Sequence, residues 1–212
     1  MSCQDMTGLR TSWKRVTYTA CAPVYNLLVW PLSRMRRASI QRLDLRPGEK
    51  VLIVGAGTGL DLDYLPSGTD ITAIDLTPAM LARLRRRAER LGLAVNARIL
   101  DGHTLDFPDN SFDAAILHLI LAVIPDPVRC VREVARVLRP GGRAVIMDKF
   151  IPDKKRTPAI AQMLNPVLDF LGTNVSRKLG PILAGSGLEV VRDEPAGFFG
   201  YFRIVLTEKT RA

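Results

Sequence analysis

The stretch VLIVGAGTGLDL at residues 51–62 constrains the fold most: four consecutive apolar residues stop at three glycines in five positions. A strand buried on both faces reads as a continuous apolar run. Glycines directly after it let the backbone turn tightly and bring its N–H groups up to a ligand that a Cβ would hold away. The stretch therefore predicts a first strand followed by a turn that cradles a nucleotide-like ligand. Such a cradle calls for a carboxylate at the end of the second strand to accept ribose hydroxyls, and Asp75 lies 20 residues beyond Gly55, about the separation of the dinucleotide fingerprint. The spacing itself departs from GxGxxG, because the third glycine would fall at residue 60, which is Leu60.

Around this turn, short β-branched runs alternate with helical stripes. Residues 50–54, 70–74, 94–100, 112–118 and 142–149 read as strands. Between them, PAMLARLRRRAERL sets Met80, Leu81, Leu84, Ala88 and Leu91 on one stripe, and PVRCVREVARVL does so with Val128, Val131, Val134, Ala135 and Leu138. Pro140, Gly141 and Gly142 read as the end of that second helix. Strand, helix, strand at this spacing implies right-handed crossovers and a parallel sheet covered on both faces. Past residue 150 the rhythm changes. Residues 158–171 and 174–185 look helical, and GLEVVRDEPAGFFGYFRIVLTEK reads as two strands around a Pro-Ala-Gly turn, a hairpin that closes the sheet.

The first 45 residues precede the sheet. Val24, Leu27, Leu28, Pro31, Leu32 and Met35 fall at helical spacing, with Lys14, Arg15, Arg34, Arg36 and Arg37 as cations, so this part is amphipathic and basic. The division expected is 1–45 as a helical lid or membrane-binding segment and 46–212 as the catalytic domain. A net charge of +9 suits phosphate-bearing partners, whether lipid, nucleic acid or small molecule. Cys3, Cys21 and Cys130 show neither a disulfide framework nor metal-ligand spacing, which fits a reducing cytosol and no metal. The apolar stretch at 22–32 is about half the roughly 20 residues needed to span a bilayer, and no signal-peptide pattern is present.

In its motifs VLIVGAGTG, ITAIDLTPAML, ILDGHTLDFPDNSFDAAILHLIL and REVARVLRPGGRAVIMD, the chain resembles the class I S-adenosylmethionine-dependent methyltransferases across residues 50–150. The resemblance implies a Rossmann-like fold with a mostly parallel seven-stranded sheet, a C-terminal antiparallel hairpin and an N-terminal amphipathic helical segment. It further implies that Gly55, Ala56, Gly57, Thr58 and Gly59 receive the homocysteine part of S-adenosylmethionine. Asp75 would bind the ribose, Leu76 and Met80 would flank the adenine, Asp101, Gly102 and His103 would face its amine, and His118 with Leu119 would sit near the methionyl part or the substrate.

The methyl acceptor is read from the remainder. YTACAPVYNLLVWPLSRMRR is similar to the opening of the ubiquinone and menaquinone C-methyltransferases, except that Thr19 and Asn26 stand where Tyr-Asp pairs would place aspartates. With the segments at 117–150 and 173–197, the chain looks more like the bacterial phosphatidylethanolamine N-methyltransferases of the related branch. That likeness implies an enzyme on the cytoplasmic face of the inner membrane that methylates a phospholipid amine; the oligomeric state is left open, with a monomer favoured. An amine must lose a proton before it attacks, and Tyr18, Tyr25 and His118 are the candidate proton acceptors. Lys149, Arg177, Lys178 and Arg203 are candidates for the lipid phosphate, and Trp13, Trp30, Leu27 and Leu28 for entry into the headgroup boundary. A quinone precursor or another small molecule is the alternative acceptor. Nucleic acid is not expected, because the basic residues are not interleaved with stacking aromatics.

Overall fold

In a computed structural model, the described residues are 32–150, 177–197 and 202–211. They form α1 (Ser33–Gln41), β1 (Lys50–Val54), a 3-10 turn (Leu60–Tyr64), β2 (Asp70–Asp75), α2 (Pro78–Leu91), β3 (Val95–Ile99), β4 (Phe112–His118), α3 (Pro127–Val137), β5 (Leu138–Lys149), α4 (Leu179–Leu183), β6 (Leu188–Gly197) and β7 (Phe202–Lys209). The seven strands make one sheet in the order β3-β2-β1-β4-β5-β7-β6. The first five run parallel, and β7 returns antiparallel between β5 and β6. This is the mostly parallel sheet with a C-terminal antiparallel hairpin that the alternation predicts.

Both faces of the sheet are covered, which explains the unbroken apolar runs. Along β1, Val51 and Ile53 join a cluster with Ile40, Leu43, Leu81, Leu84 and Ala88, so α1 and α2 lie on that face. Leu52 and Val54 point the other way and pack with Val131, Val134, Leu179 and Ile182 of α3 and α4. Each helix supplies one stripe and the strand feeds both cores. Two helix starts follow local rules: Pro78 and Pro127 open α2 and α3, and the Asp126 side chain accepts from the Arg129 N–H at 3.0 Å as the cap of α3.

Several boundaries differ from the sequence reading. Helix α3 stops at Val137, and Leu138 to Gly142 already belong to β5, so Pro140, Gly141 and Gly142 lie in the strand entry. The pairing of β4 with β5 shifts register there, and a Cβ on Gly142 would stand 2.8 Å from the Arg139 carbonyl oxygen, so glycine accommodates the irregularity. Pro195, Ala196 and Gly197 are the last residues of β6 and pair with β7 instead of forming the turn. The helix expected at 174–185 is confined among the described residues to Leu179–Leu183, and the one at 158–171 lies outside them. Leu91 is 44% exposed, so the α2 stripe ends at Ala88, and Val128 is only half-buried. Arg36, read as a surface cation of an amphipathic helix, is buried.

Candidate functional site

The strand order reverses between β1 and β4, and a crevice opens beyond the carboxyl ends of the parallel strands where the connections on either side diverge. A cavity of about 120 Å³ occupies this point. Its walls come from the turn after β1 (Gly55, Gly57), the end of β2 (Asp75, Leu76), the first turn of α2 (Met80), the loop after β3 (Leu100, Asp101, Gly102) and the end of β4 (His118, Leu119), with Ile120, Val123 and Ile124 on the far side. The lining is largely apolar with two carboxylates, the composition that suits a molecule with a flat apolar portion and a hydroxylated one.

The glycine turn is built as the sequence implies. Gly55, Gly57 and Gly59 have φ of 68°, 55° and 78°, in the left-handed region that favours glycine. A Cβ on Gly55 would lie 2.8 Å from Ile120 Cδ1 on the opposite wall of the cleft. The close approach required of Gly59 is different: its Cβ would meet Leu84 Cγ at 2.9 Å, so this glycine seats the turn on α2. Ala56 and Thr58 are buried, Ala56 donating its N–H to the Ile74 carbonyl at 2.9 Å, and with Gly59 they support the cradle without lining it.

Asp75 points at this turn. Its Oδ2 accepts from the Gly57 N–H at 2.9 Å and its Oδ1 from the Thr77 N–H at 2.8 Å. Burial pushes its carboxyl up, and the two N–H groups pull the other way. Each carboxylate oxygen still has acceptor capacity, so a sugar diol can add its hydroxyls. On the adjoining wall Asp101 accepts from both the His103 N–H, 2.9 Å, and His103 Nδ1, 2.6 Å. The hydrogen bond from His103 holds the Asp101 carboxyl below its ordinary range despite partial burial. His103 Nε2 accepts from the Asp126 N–H at 3.1 Å, which assigns the ring proton to Nδ1. His103 therefore stands behind Asp101 and orients it; it does not line the cleft.

The end of β4 corrects the role expected of His118. The ring is buried, its Nδ1 lies 2.7 Å from Asp61 Oδ1 and its Nε2 lies 2.9 Å from Ser39 Oγ. With both nitrogens engaged inside the protein, His118 is not placed to take a proton from an acceptor. Asp61 also accepts from Arg36 Nη1 at 2.6 Å. Burial would raise the Asp61 carboxyl, yet the Arg36 guanidinium and His118 hold it well below the usual carboxylate range. Next to His118, Leu119 has φ 61°, a strained conformation for a non-glycine residue, and its N–H bonds to the Met147 carbonyl at 2.9 Å.

Two further groups shape the far wall. Asp148, fully buried at the end of β5, accepts from the Ala122 N–H and the Lys149 N–H, both at 2.8 Å, and burial pushes its carboxyl up to about 6. Arg177 donates to the Leu121 carbonyl. Neither Asp148 nor Asp61 was singled out by the sequence; an acidic residue within an apolar strand end, as in VIMD, is the signal available for the first. The proposed phosphate ligands are not gathered in this cleft. Arg203 is paired with Asp193 across the hairpin, Lys149 is half-buried, Lys178 precedes α4 and Arg177 serves the loop. Tyr18 and Tyr25 lie outside the described residues. Among the described residues no His, Cys, Asp and Glu cluster has the arrangement to hold a metal ion.

Comparison with known proteins agrees with this geometry. A family model described as a methyltransferase domain matches residues 52–146. The chain is 36% identical over 173 residues to the phosphatidylethanolamine N-methyltransferase of Cereibacter sphaeroides, covering 79% of this chain and 85% of that protein. It is 33% identical over 172 residues to the demethylmenaquinone methyltransferase of Thermus thermophilus, covering 77% and 78% respectively. In fold it is similar to the geranyl diphosphate C-methyltransferase of Streptomyces coelicolor, solved with S-adenosylhomocysteine, at a TM-score of 0.73 and 14% identity over 84% of this chain and 76% of that one.

Proposed function

We propose that this chain, which belongs to the S-adenosylmethionine-dependent methyltransferases, transfers methyl groups from that cofactor to the amine of phosphatidylethanolamine at a membrane surface. The observation that carries the choice of acceptor is the likeness to the phosphatidylethanolamine enzyme, 36% identical over 79% of this chain and 85% of that protein. The net charge of +9 and the exposed Arg34 and Arg37 of α1 favour an anionic surface. Among the described residues no helix is long and apolar enough to cross a membrane.

The residues of the cleft fit the cofactor: a turn whose Gly55 leaves no room for a Cβ, the Asp75 carboxylate for the sugar and an apolar slot at Leu76, Met80 and Leu100. When bound, S-adenosylmethionine supplies a methyl group on a sulfonium, open to in-line displacement by an acceptor with a lone pair. Asp75 would hold the sugar hydroxyls, Gly55 and Gly57 would admit the cofactor close to the backbone, and Asp101, held by His103, would face the adenine. Leu119, Ile120 and Val123 line the cleft and would keep water from the methyl group of a bound cofactor. His118 contributes geometry, since both its nitrogens are engaged.

A second reading, C-methylation of a quinone precursor, is favoured by the likeness to the demethylmenaquinone enzyme. Incubation with methyl-labelled cofactor and either phosphatidylethanolamine vesicles or demethylmenaquinone separates the two. Label in mono-, di- or trimethylated lipid is the expected result. Label in the quinone alone would replace the lipid reading by the second one.

A further inference from the structure

We propose that Arg36 and Ser39 of α1 are positioning residues for the cofactor site, acting through Asp61 and His118, so that docking of α1 and cofactor affinity depend on each other. Four polar groups meet inside the protein from three separate elements: Arg36 and Ser39 from α1, Asp61 from the 3-10 turn two residues beyond Gly59, and His118 from the end of β4. None is more than 5% exposed. Asp61 Oδ1 accepts from Arg36 at 2.6 Å and from His118 Nδ1 at 2.7 Å, and Ser39 Oγ closes the chain at 2.9 Å from His118 Nε2. The ionised Asp61 is an acceptor only, so Nδ1 carries the proton that meets it, and Nε2 is paired with the Ser39 hydroxyl.

The network joins the continuation of the glycine turn to the opposite wall of the cleft, where His118 and Leu119 sit. It also keys α1 to both. Apolar contact already anchors α1 through Ile40, and Leu43 just past its end joins the same cluster. Well-packed apolar residues would stabilise such a contact as well as or better than a buried ion pair does, so the charges set position more than strength. A ligand that needs Gly55, Gly57 and His118 in this arrangement therefore favours docked α1, and by linkage docked α1 favours the ligand to the same degree. The inference rests on the cofactor assignment and is independent of which acceptor is methylated.

The test uses the full chain and S-adenosylhomocysteine as probe, read by calorimetry and by amide hydrogen exchange. In the unaltered protein the probe slows exchange of the α1 amides at least about fivefold. Ser39→Ala weakens probe affinity about five- to tenfold and abolishes the slowing, while Ser39→Thr, which keeps the hydroxyl, restores both. Wild-type affinity in Ser39→Ala, or α1 exchange that ignores the probe in the unaltered protein, overturns the proposal. If Ser39→Ala does not fold, the exchange measurement on the unaltered protein decides alone. Failure of the unaltered protein to take up the probe would overturn the cofactor assignment and this proposal with it, whereas uptake without coupling overturns only the proposal.

Discussion

Gly55 and Asp75 act at the scale of single atoms. A side chain at residue 55 would have to adopt φ 68° and place its Cβ 2.8 Å from Ile120. Left-handed backbone costs an ordinary residue roughly 1–2 kcal/mol before any clash. Gly55→Ala is therefore expected to lower cofactor affinity, seen as a weaker calorimetric signal with S-adenosylhomocysteine. Gly59→Ala should instead lower thermal stability, because its Cβ would strike Leu84 of the core. Asp75→Asn replaces a group that accepts two N–H bonds with one that accepts at a single oxygen and turns an NH2 towards an N–H donor. Hydrogen bonds to a charged acceptor contribute about 1.5–3 kcal/mol, so a loss of roughly 10- to 100-fold in cofactor affinity is expected. Both residues were legible in the sequence, because glycine spacing and a strand-end carboxylate are local signatures. His103 and His118 were legible as site residues but not in their roles, which depend on partners 23 and 79 positions away.

At the scale of elements, α1 is tied to the sheet by a charge that must stay paired. Arg36→Ala leaves Asp61 buried beside His118 without its guanidinium, and losing one member of a buried pair costs about 3–5 kcal/mol. A lower melting temperature is the expected reading. The folded Asp61 titrates below its unfolded value, so its stabilising contribution is present above the ordinary carboxylate range and is lost as pH falls below it. The gap between wild type and Arg36→Ala should therefore narrow as the pH is lowered through that range. Asp148 runs the opposite way. Its folded carboxyl is raised to about 6, so its contribution is full below its unfolded value and is lost as pH rises through about 6. In urea titrations the stability of wild type relative to Asp148→Asn should fall between pH 4 and 6 and level off above. Equal slopes for the two proteins would show that Asp148 does not titrate in this window.

For the whole molecule, a ligand that binds only the folded state stabilises it by mass action. At a hundred times its dissociation constant, S-adenosylhomocysteine should add about 2.7 kcal/mol and raise the melting temperature by roughly 5–10 °C for a chain of this size. The same shift in the Asp75→Asn protein should need a correspondingly higher concentration. The positive charge acts at this scale as well: vesicles containing anionic lipid should bind the protein, and raising salt from 50 mM to 500 mM should release it. Release that ignores salt would assign the contact to apolar residues.

The sequence by itself determined the order of the strands, the parallel sheet and the cofactor cradle, because unbroken apolar runs, helical stripes, glycine turns and strand-end carboxylates are set by residues near one another in the chain. Only the tertiary structure decided the rest. Arg36 reads as one more cation of a basic helix and became a buried partner of Asp61; His118 reads as a base and became the centre of a closed network; Arg203 reads as a phosphate ligand and became the partner of Asp193. A charged side chain carries no local mark of whether it will face water or a counter-charge. That is fixed when the sheet brings distant strands together, because burial makes an unpaired charge too costly to keep.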